Sequence, residues 1–412
     1  MRYLKILADD LTGAADTAAR CRRFGLPATI FLDSPGMPLP QGALAFTSDS
    51  RHLTADAAAK SARKTAASLP GLDGRWYKKI DSTLRGNVGS ELDALLELVD
   101  APAAVVCPAF PAQRRWLRNG ILTAPDFGPP AIHLPSLLRA QSRHPVAALS
   151  IEEVRGVALA TRLKRLMQMG DSCTGQGRLV IAVDAITDND LDRLVKAQEE
   201  ALPDALLCGS AGLVGALVRR EAAKEMFPAL PVGRIRAGGQ TVLLVAGSGS
   251  EVAHRQIAHL LRCGDDNPQL GTSRLIVLPE TDSAATASLN PTRPIWLLQQ
   301  PQPQPDAVLD GPEARQRADH LARVGAAALA RRPADVLLLV GGDTAMLFLR
   351  HLGAARLKVE QELLPGMPLC SGVIDGRSTL IAIKPGRFGE EGTLVELLGR
   401  VGLTGHGASA GG

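Results

Sequence analysis

The chain has 412 residues, of which 45% are hydrophobic, 21% charged and 3% aromatic, a length sufficient for two domains of ordinary size. Its net charge of +4 and its few aromatic side chains argue against a nucleic-acid partner, because such proteins need basic patches and stacking rings. No apolar run is long enough to span a bilayer, and the six cysteines form no CxxC pair. We therefore expect a reduced, cytoplasmic protein with no membrane partner.

Short apolar runs alternate with stretches of helical periodicity along the chain, which predicts an α/β fold with mainly parallel sheets. The predicted strands of the first half are Tyr3–Leu7, Ala28–Leu32, Ala43–Thr47, Trp76–Ile80, Ala104–Cys107, Leu179–Val183 and Ala205–Cys208. Helical patterns at Leu53–Ser68 and Gly89–Val99 separate some of these strands.

A segment rich in Pro, Gly and Arg, Pro228–Gln240, predicts a domain boundary. The strands predicted beyond it are Thr241–Val245, Arg274–Leu278, Ile295–Leu298, Asp335–Val340 and Thr379–Ile383, with a proline-stiffened loop at Pro301–Pro312. We therefore expect two domains, residues 1–232 and 241–403. Each is predicted to be a mainly parallel sheet flanked by helices, with the active site in the cleft between them.

The first predicted strand ends in two adjacent carboxylates, Asp9 and Asp10, and a turn containing Thr12 and Gly13 leads into a helix of small residues. Charges at the end of a buried strand are costly unless they have a partner. This edge is also where open α/β sheets hold their ligands. Asp10 could serve only as a helix cap, but the density of charge favours a polar substrate.

Three further strands of the first half end in polar turns, at Thr47–His52, Lys78–Asn87 and Cys107–Arg115. Together these turns offer carboxylates, hydroxyls, an amide, lysine and arginine at one sheet edge. This set suits a small polyhydroxy acid, because Asp and Asn bind hydroxyls while Arg and Lys bind a carboxylate or a phosphate. Three other hydroxyl residues are interpreted as ordinary helix caps: Ser50, Thr54 and Ser90.

The second half contains three glycine turns at strand ends: GSGS at 247–250, GGDT at 341–344 and KPGRFG at 384–389. Each alone is typical of a tight connection. Three in one domain favour a phosphate-rich ligand, because bare amides at a helix N-terminus bind anions. Asp343 could hold Mg²⁺ or orient a nucleophile. There is no Walker A sequence, and Val252 stands where a dinucleotide fingerprint needs its third glycine.

In the order ADDLTGAADTA, KKIDSTLRGN, CPAFPAQRR, GSAGL, GSGS, GGDTA and KPGRFG, these motifs resemble the four-carbon acid sugar kinases over essentially the whole chain, about residues 1–403. The resemblance implies an N-terminal domain that binds the sugar acid and a C-terminal domain that binds ATP without a Walker fold. Phosphate would pass, with Mg²⁺, to the terminal 4-hydroxyl. KKIDSTLRGN is more similar to the D-threonate/D-erythronate kinase branch, and the 3-oxo-tetronate kinase branch is the alternative.

The resemblance and the strand ends together assign the site residues. The substrate-binding positions are Asp9, Thr12, Gly13, Asp49, Arg51, Lys79, Ser82, Arg85 and Asn87. The nucleotide-binding positions are Ser248, Gly249, Ser250, Gly341, Gly342, Asp343, Thr344, Lys384, Gly386 and Gly389. Asp10 is the first choice for the base that accepts the hydroxyl proton, and Asp81 is the second. The sequence alone does not decide between these two aspartates. No set of metal ligands is assigned.

Two functions of other classes remain as alternatives to a kinase. A nicotinamide-dependent dehydrogenase would use the GSGS turn, although Val252 and the lack of a well-placed acidic residue count against it. A non-catalytic sugar-acid-binding protein would need neither the glycine turns nor Asp343. The expected partners are therefore a sugar acid and ATP, and a homodimer is expected only on base rates.

Overall fold

The computed structural model describes residues 3–33, 38–69, 74–125, 131–174, 178–224, 240–302 and 311–403. The chain divides into two compact units, Met1–Leu230 and Pro231–Gly412. Except for Gln240, the predicted boundary Pro228–Gln240 lies outside the described residues, as does most of the predicted loop Pro301–Pro312. Within the described ranges, every helix is too short or too polar to cross a membrane.

The first unit alternates strands with helices along most of its length. Its strands are β1 (Tyr3–Ala8), β2 (Ala28–Phe31), β3 (Gly42–Thr47), β4 (Arg75–Lys79), β5 (Ala103–Cys107), β6 (Trp116–Arg118), β7 (Ile121–Thr123), β8 (Ile132–His133), β9 (Val146–Leu149), β10 (Leu179–Val183) and β11 (Leu206–Gly209). Its helices are α1 (Leu11–Arg23), α2 (Ala55–Ala67), α3 (Val88–Leu98), α4 (Leu134–Gln141), α5 (Ile151–Arg155), α6 (Leu159–Thr174), α7 (Asp188–Ala201) and α8 (Ala211–Lys224), with a 3-10 turn at Pro111–Gln113.

The main sheet of this unit has the strand order β2-β3-β1-β4-β11-β5-β10-β9, and its paired strands are parallel. Strand β1 is buried along its whole length, as expected of a central strand covered by helices on both faces. The chain builds outward from β1 to one side through β3 and then to the other through β4. The carboxyl end of β1 therefore lies at the point where the strand order reverses, which is where such sheets bind ligands. Strands β6, β7 and β8 form a separate antiparallel sheet.

The second unit combines a parallel sheet with an antiparallel extension. Its strands are β12 (Val242–Ala246), β13 (Thr272–Ile276), β14 (Ile295–Gln299), β15 (Val336–Val340), β16 (Arg356–Leu364), β17 (Met367–Ile374) and β18 (Arg377–Lys384). Its helices are α9 (Glu251–Asp266), α10 (Pro312–Arg331), α11 (Gly342–His351) and α12 (Thr393–Arg400), with 3-10 turns at Pro268–Leu270 and Ser283–Ser288.

The strand order in the second unit is β13-β14-β12-β15-β18-β17-β16. Strands β12 to β15, with β18, pair in parallel, whereas β17 is antiparallel to both of its neighbours. The register aligns Ala246, Val340 and Lys384, the last residues of β12, β15 and β18. The three glycine turns predicted from the sequence therefore begin level with one another on adjacent strands.

The prediction of mainly parallel α/β sheets is confirmed in both units. Each has an apolar core of leucine, valine and alanine from its buried strands and from the inner faces of its helices. Strands β16 and β17 were absent from the sequence prediction. In β16, exposed Arg356 and Lys358 alternate with buried Leu357 and Val359, the pattern of a sheet with one solvated face.

Candidate active site

The register of the first unit brings three polar strand ends together. Ala8 pairs with Thr47 and Leu7 pairs with Lys78, so the residues that follow these strands emerge at the same edge. Asp9 follows β1 directly, and Lys79 closes β4. The structure therefore assembles at one place the polar residues that the sequence predicts on separate strands.

Arg51 links three of these carboxylates. Its Nε and Nη2 atoms lie 2.8 and 3.0 Å from the two oxygens of Asp9, and its Nη1 lies 2.6 Å from Asp10 Oδ2. Asp81 Oδ1 is 3.8 Å from Nη2. Burial alone would raise the pKa of Asp9, but attraction and hydrogen bonds from Arg51, with help from Lys78, hold that pKa below its usual value. Arg51 thus orients the carboxylates and has little of its guanidinium left for a substrate.

Asp10 caps helix α1 and also belongs to the carboxylate cluster. Its Oδ1 accepts a 2.7 Å hydrogen bond from the Gly13 amide, while its Oδ2 accepts a hydrogen bond of 2.5 Å from the Thr12 hydroxyl. The cap and the Arg51 contact fix the carboxylate with both oxygens oriented. The two interpretations of Asp10, helix cap and site residue, are therefore compatible.

Asp81 is held by its own turn. Arg85 donates to it from Nε at 2.7 Å and from Nη2 at 3.1 Å, and the Thr83 hydroxyl donates as well. The turn requires the buried Leu84 to adopt φ +61°, a left-handed conformation that costs a leucine about 1–3 kcal/mol. Although burial would raise the pKa of Asp81, Arg85 and Arg51 lower it well below the usual range. Such an ion-paired carboxylate is a weak base.

Lys79 differs from the arginines around it. Its side chain is buried, and Nζ donates to the Ile80 carbonyl at 3.0 Å. Among the residues that the structure describes, no carboxylate lies within ion-pair distance of this ammonium. A Cβ placed on Gly13 would lie 3.1 Å from Lys79 Nζ and 2.9 Å from Asp10 Oδ1, so the glycine borders the space between these two groups.

The other predicted substrate residues lie in the same turns with different contacts. Ser82 Oγ accepts a hydrogen bond from the buried Arg115, which was not among the predicted site residues. The side-chain amide of Asn87 donates to the Leu53 carbonyl at 2.8 Å and so braces the turn that carries Arg51. Asp49 has a left-handed φ of +50° in the turn after β3. Their roles in binding remain predictions.

A buried ion pair lies next to the cluster and was missed in the sequence. Lys78 Nζ is 2.9 Å from Glu91 Oε2, and Ser50 Oγ donates to the other oxygen of Glu91 at 2.9 Å. Ser50 is thus not a helix cap, and Ser90 donates to the Gln141 carbonyl instead of capping α3. Thr54 does occupy the N-cap position of α2, although its side chain makes no cap hydrogen bond. Glu91 in the first turn of α3 resembled an ordinary acidic helix start, so nothing marked it as buried.

In the second unit the three glycine turns contact one another. A side chain at Gly386 would collide with Ser248 Oγ, one at Gly247 with Thr344 Oγ1, and one on Gly341 would approach the Ser248 amide to 3.2 Å. Gly341 has φ +108°, a conformation that favours glycine. These close approaches explain why glycine is needed where the turns meet.

Ser250 connects two of these turns. It is the N-cap of α9, accepts a hydrogen bond from Ala253 N at 3.2 Å and donates at 2.8 Å to the Gly386 carbonyl. The Ser250 amide in turn donates to Ser248 Oγ at 3.3 Å. Gly249 lies exposed between the two serines, and Gly342 begins α11 directly after its N-cap Gly341. Two helix N-termini, α9 and α11, therefore begin at this cluster of turns.

Lys384, at the end of β18, is fully buried. Its Nζ donates to the carbonyls of Pro385 at 2.9 Å and Gly386 at 3.4 Å, and in the described part of the chain it has no carboxylate partner. Burial lowers the pKa of Lys384 from 10.5 to about 7. A buried cation beside two helix N-termini is suited to bind phosphate.

Gln256, on α9, was also missed in the sequence. Its side-chain amide donates to three successive carbonyls, those of Phe388 and Gly389 at 3.1 Å and Glu390 at 2.8 Å. Gln256 is fully buried and so fixes the end of the KPGRFG turn, where Gly389 has φ +85°. An isolated glutamine in an amphipathic helix carries no sequence signal for such a role.

Mg²⁺ commonly binds through one or two carboxylates together with substrate phosphates and water. Asp343, in the first turn of α11, is a half-buried carboxylate beside the glycine turns and fits this role. Across the ranges that the structure covers, no group of three or more His, Cys, Asp or Glu is arranged to hold a metal ion by itself.

The two units match known families. Residues 4–217 match the family described as "Sugar-binding N-terminal domain", and residues 243–394 match "Nucleotide-binding C-terminal domain". The chain is thus a two-domain enzyme of the phosphotransferase class. It belongs to the four-carbon acid sugar kinase family.

The relatives include two curated kinases. A D-threonate kinase from Bordetella bronchiseptica is 30% identical, with 95% of this chain and 96% of the relative covered. A 3-oxo-tetronate kinase from Escherichia coli is 31% identical over 62% of this chain and 69% of the relative. A crystal structure titled a putative tRNA synthase from Salmonella typhimurium LT2 has a TM-score of 0.76 at 23% identity, covering 96% and 99% of the two chains. This last likeness concerns the fold alone.

Proposed function

We propose that this protein is an ATP-dependent kinase that phosphorylates the terminal 4-hydroxyl of a four-carbon sugar acid of the D-threonate or D-erythronate type. The observation that carries the proposal is the strand-end cluster of the first unit, where Asp10 and Lys79 flank a space bordered by Gly13. A carboxylate beside an ammonium can accept a hydroxyl proton and offset the charge that develops on the oxygen.

The second unit supplies the phosphate side of this proposal. The N-termini of α9 and α11, the glycine turns and Lys384 form a cationic cradle for the nucleotide phosphates. Asp343 would hold Mg²⁺ together with the phosphates, and this ion supplies charge neutralisation when bound. In-line transfer requires that the bound nucleotide and the bound acid meet during turnover.

Asp10 is the better candidate for the catalytic base. Asp81 is paired with Arg85 and its pKa is well below the usual range, and Asp9 is held by two hydrogen bonds from Arg51. Asp10 is also paired with Arg51, but only through Oδ2; its Oδ1 accepts only the Gly13 amide among the described groups and can therefore accept a hydrogen bond from the substrate hydroxyl. We therefore assign the base to Asp10, with Arg51 as the residue that positions it.

The choice of substrate rests on the sequence KKIDSTLRGN, which is more similar to the D-threonate/D-erythronate kinase branch. The coverage of the relatives does not separate the two types, because a D-threonate kinase and a 3-oxo-tetronate kinase both match 95% of this chain. A 3-oxo-tetronate remains the second candidate. The curated relatives are kinases, and the glycine turns and Lys384 suit nucleotide phosphates; neither observation supports a dehydrogenase or a non-catalytic binding protein. We also propose that the protein is cytoplasmic, where ATP is available, and that it forms a homodimer.

The test is ADP release in a coupled assay with D-threonate, D-erythronate, their enantiomers and 3-oxo-tetronate. We expect the highest kcat/KM with D-threonate or D-erythronate, and release with none of these acids would refute the proposed function. Asp10→Asn should lower kcat by about 10²–10⁴-fold while ATP binding persists. Asp56→Asn, on the exposed start of α2, is the matched control. Near-normal turnover of Asp10→Asn would remove Asp10 as the base.

A further inference from the structure

Gly13 borders a gap of defined size in the first unit. A Cβ on Gly13 would lie 2.9 Å from Asp10 Oδ1 and 3.1 Å from Lys79 Nζ. These two atoms are therefore at most about 6 Å apart, and they form no ion pair, so they are more than about 4 Å apart. A single oxygen atom that makes two ordinary hydrogen bonds of about 2.8 Å bridges such a separation.

Both groups that face this gap retain hydrogen-bonding capacity. Lys79 is 3% exposed and uses one of its three N–H donors on the Ile80 carbonyl. Asp10 Oδ1 accepts only the Gly13 amide among the described groups. A buried ammonium with one acceptor is costly unless a ligand supplies another. By contrast, Arg51 and Arg85 direct their guanidinium groups to carboxylates.

We propose that the hydroxyl that receives the phosphate lies in front of Gly13, where it donates to Asp10 Oδ1 and accepts from Lys79 Nζ. Gly13 is then a specificity residue, since a side chain there would crowd both groups that hold this oxygen, at 2.9 Å from Asp10 Oδ1 and 3.1 Å from Lys79 Nζ. The inference rests on the proposed function and adds to it the location of the reacting atom. It also gives the two cationic residues different roles: Lys79 contacts the substrate, whereas Arg51 positions Asp10.

Phosphoryl transfer at this position needs only the acid and ATP. The hydroxyl oxygen forms a bond to the γ-phosphorus of ATP as the bond from that phosphorus to the β,γ-bridging oxygen breaks, so ADP leaves with the electron pair. The hydroxyl proton passes to Asp10 Oδ1 and then to solvent. Lys79 Nζ stabilises the negative charge on the attacking oxygen and on the phosphoryl group.

Gly13→Ala tests the proposal because the fold can absorb the change and the gap cannot. Gly13 lies inside α1, where alanine is the better helix former, and its amide can still donate to Asp10 after Oδ1 shifts by a few tenths of an ångström. The added methyl meets side-chain atoms of Asp10 and Lys79 and no backbone atom of another segment among its three nearest neighbours, with Lys79 Cγ in ordinary contact at 3.5 Å. We expect kcat/KM for the sugar acid to fall at least 100-fold while the affinity for ATP changes less than twofold. Gly215→Ala, inside α8 of the same unit, is the control and should stay within twofold.

A binding measurement separates this inference from the proposed function. The 4-deoxy analogue of the preferred acid lacks the acceptor hydroxyl, and calorimetry should show at least tenfold weaker binding to the wild-type protein. Gly13→Ala should bind this analogue within threefold of the wild-type affinity. Equal wild-type affinity for the acid and its 4-deoxy analogue, or equal damage to both by Gly13→Ala, would overturn the inference, and the first result needs no variant to fold. Failure of the kinase activity itself would instead appear as no ADP release by the wild-type protein.

Discussion

Lys384→Met should stabilise the second unit in the absence of nucleotide while abolishing nucleotide binding. Lys384 is fully buried, and in the described part of the second unit it contacts backbone carbonyls without a carboxylate. Its pKa is lowered from 10.5 to about 7, so folding carries the cost of desolvating the ammonium or of releasing its proton. Methionine has a similar length and no charge, and it removes this cost.

The expected gain in stability follows from the difference between the pKa of Lys384 in the folded and unfolded chain. At about 1.4 kcal/mol per pKa unit, the shift from 10.5 to about 7 amounts to about 5 kcal/mol, of which about 4 kcal/mol destabilises the folded state at pH 7, where the folded-state lysine is half deprotonated. The carbonyls of Pro385 and Gly386 lose a donor in the variant, which costs about 1–2 kcal/mol. The net gain is then about 2–3 kcal/mol, or on the order of 5–10 °C in Tm for a unit of this size.

The lowered pKa of Lys384 determines how the stability of the second unit changes with pH. Between pH 7 and 10.5 the unfolded chain binds the lysine proton more tightly than the folded chain does, so the wild-type free energy of unfolding rises with pH across this window. The advantage of Lys384→Met should therefore be largest at and below pH 7 and vanish at about pH 9–10, where the remaining cost of the charge equals that of the lost carbonyl contacts. Trp296 is the sole tryptophan of the second unit, so in a Trp76→Phe/Trp116→Phe background its fluorescence reports on this unit.

Lys78→Met is the matched control, because Lys78 is equally buried but paired with Glu91 at 2.9 Å. Removing it leaves a buried carboxylate unpaired and should destabilise the first unit by about 3–5 kcal/mol. Urea denaturation at several pH values measures both variants. A Lys384→Met protein that is less stable than wild type at pH 7, or whose advantage does not shrink as pH rises, would refute the reasoning.

Two further substitutions test how the site is supported. Arg51→Met should destabilise the first unit by about 3–5 kcal/mol, because Asp9 and Asp10 lose their counter-charge. Its stability in urea should rise on acidification from pH 6 to 4, whereas that of the wild type, whose Asp9 and Asp81 have lowered pKa values, should change little in this range and fall below about pH 4; a variant with the wild-type slope would contradict this. Gln256→Leu should raise KM for ATP at least fivefold and leave KM for the acid unchanged, because the 388–390 carbonyls lose their donor. A rise in both KM values would point to global damage.

The strands that carry the site could be predicted because they are buried on both faces. The observed β12, β15 and β18 each end within one residue of the predicted end, since a continuous apolar run stops where the polar turn begins. The identity of the turns therefore followed from the sequence. Their alignment at Ala246, Val340 and Lys384 did not, because register depends on the pairing of distant segments.

The division of roles among the charged residues was not predictable. Arg51 is 42 residues from Asp9 in sequence, and nothing in its local pattern distinguishes a residue that binds substrate from one that holds three carboxylates. Ser50 illustrates the same limit: a serine near a helix start usually caps it, yet here it donates to Glu91. Such roles depend on which distant side chain comes within hydrogen-bonding distance. The packing of the folded chain determines this, and the local sequence does not show it.

The two buried lysines, Lys79 and Lys384, also bear on how long the protein persists in a cell. Each lacks a carboxylate partner in the described part of its own unit, so an anionic ligand bound there would also act as the missing counter-ion. Ligand at a hundred times its Kd adds about 2.7 kcal/mol to the folded state. Because proteases act mainly on the opened chain, abundance should rise when the acid and nucleotide are plentiful and fall when they are scarce. The site that recognises the substrates would then also set the lifetime of the enzyme.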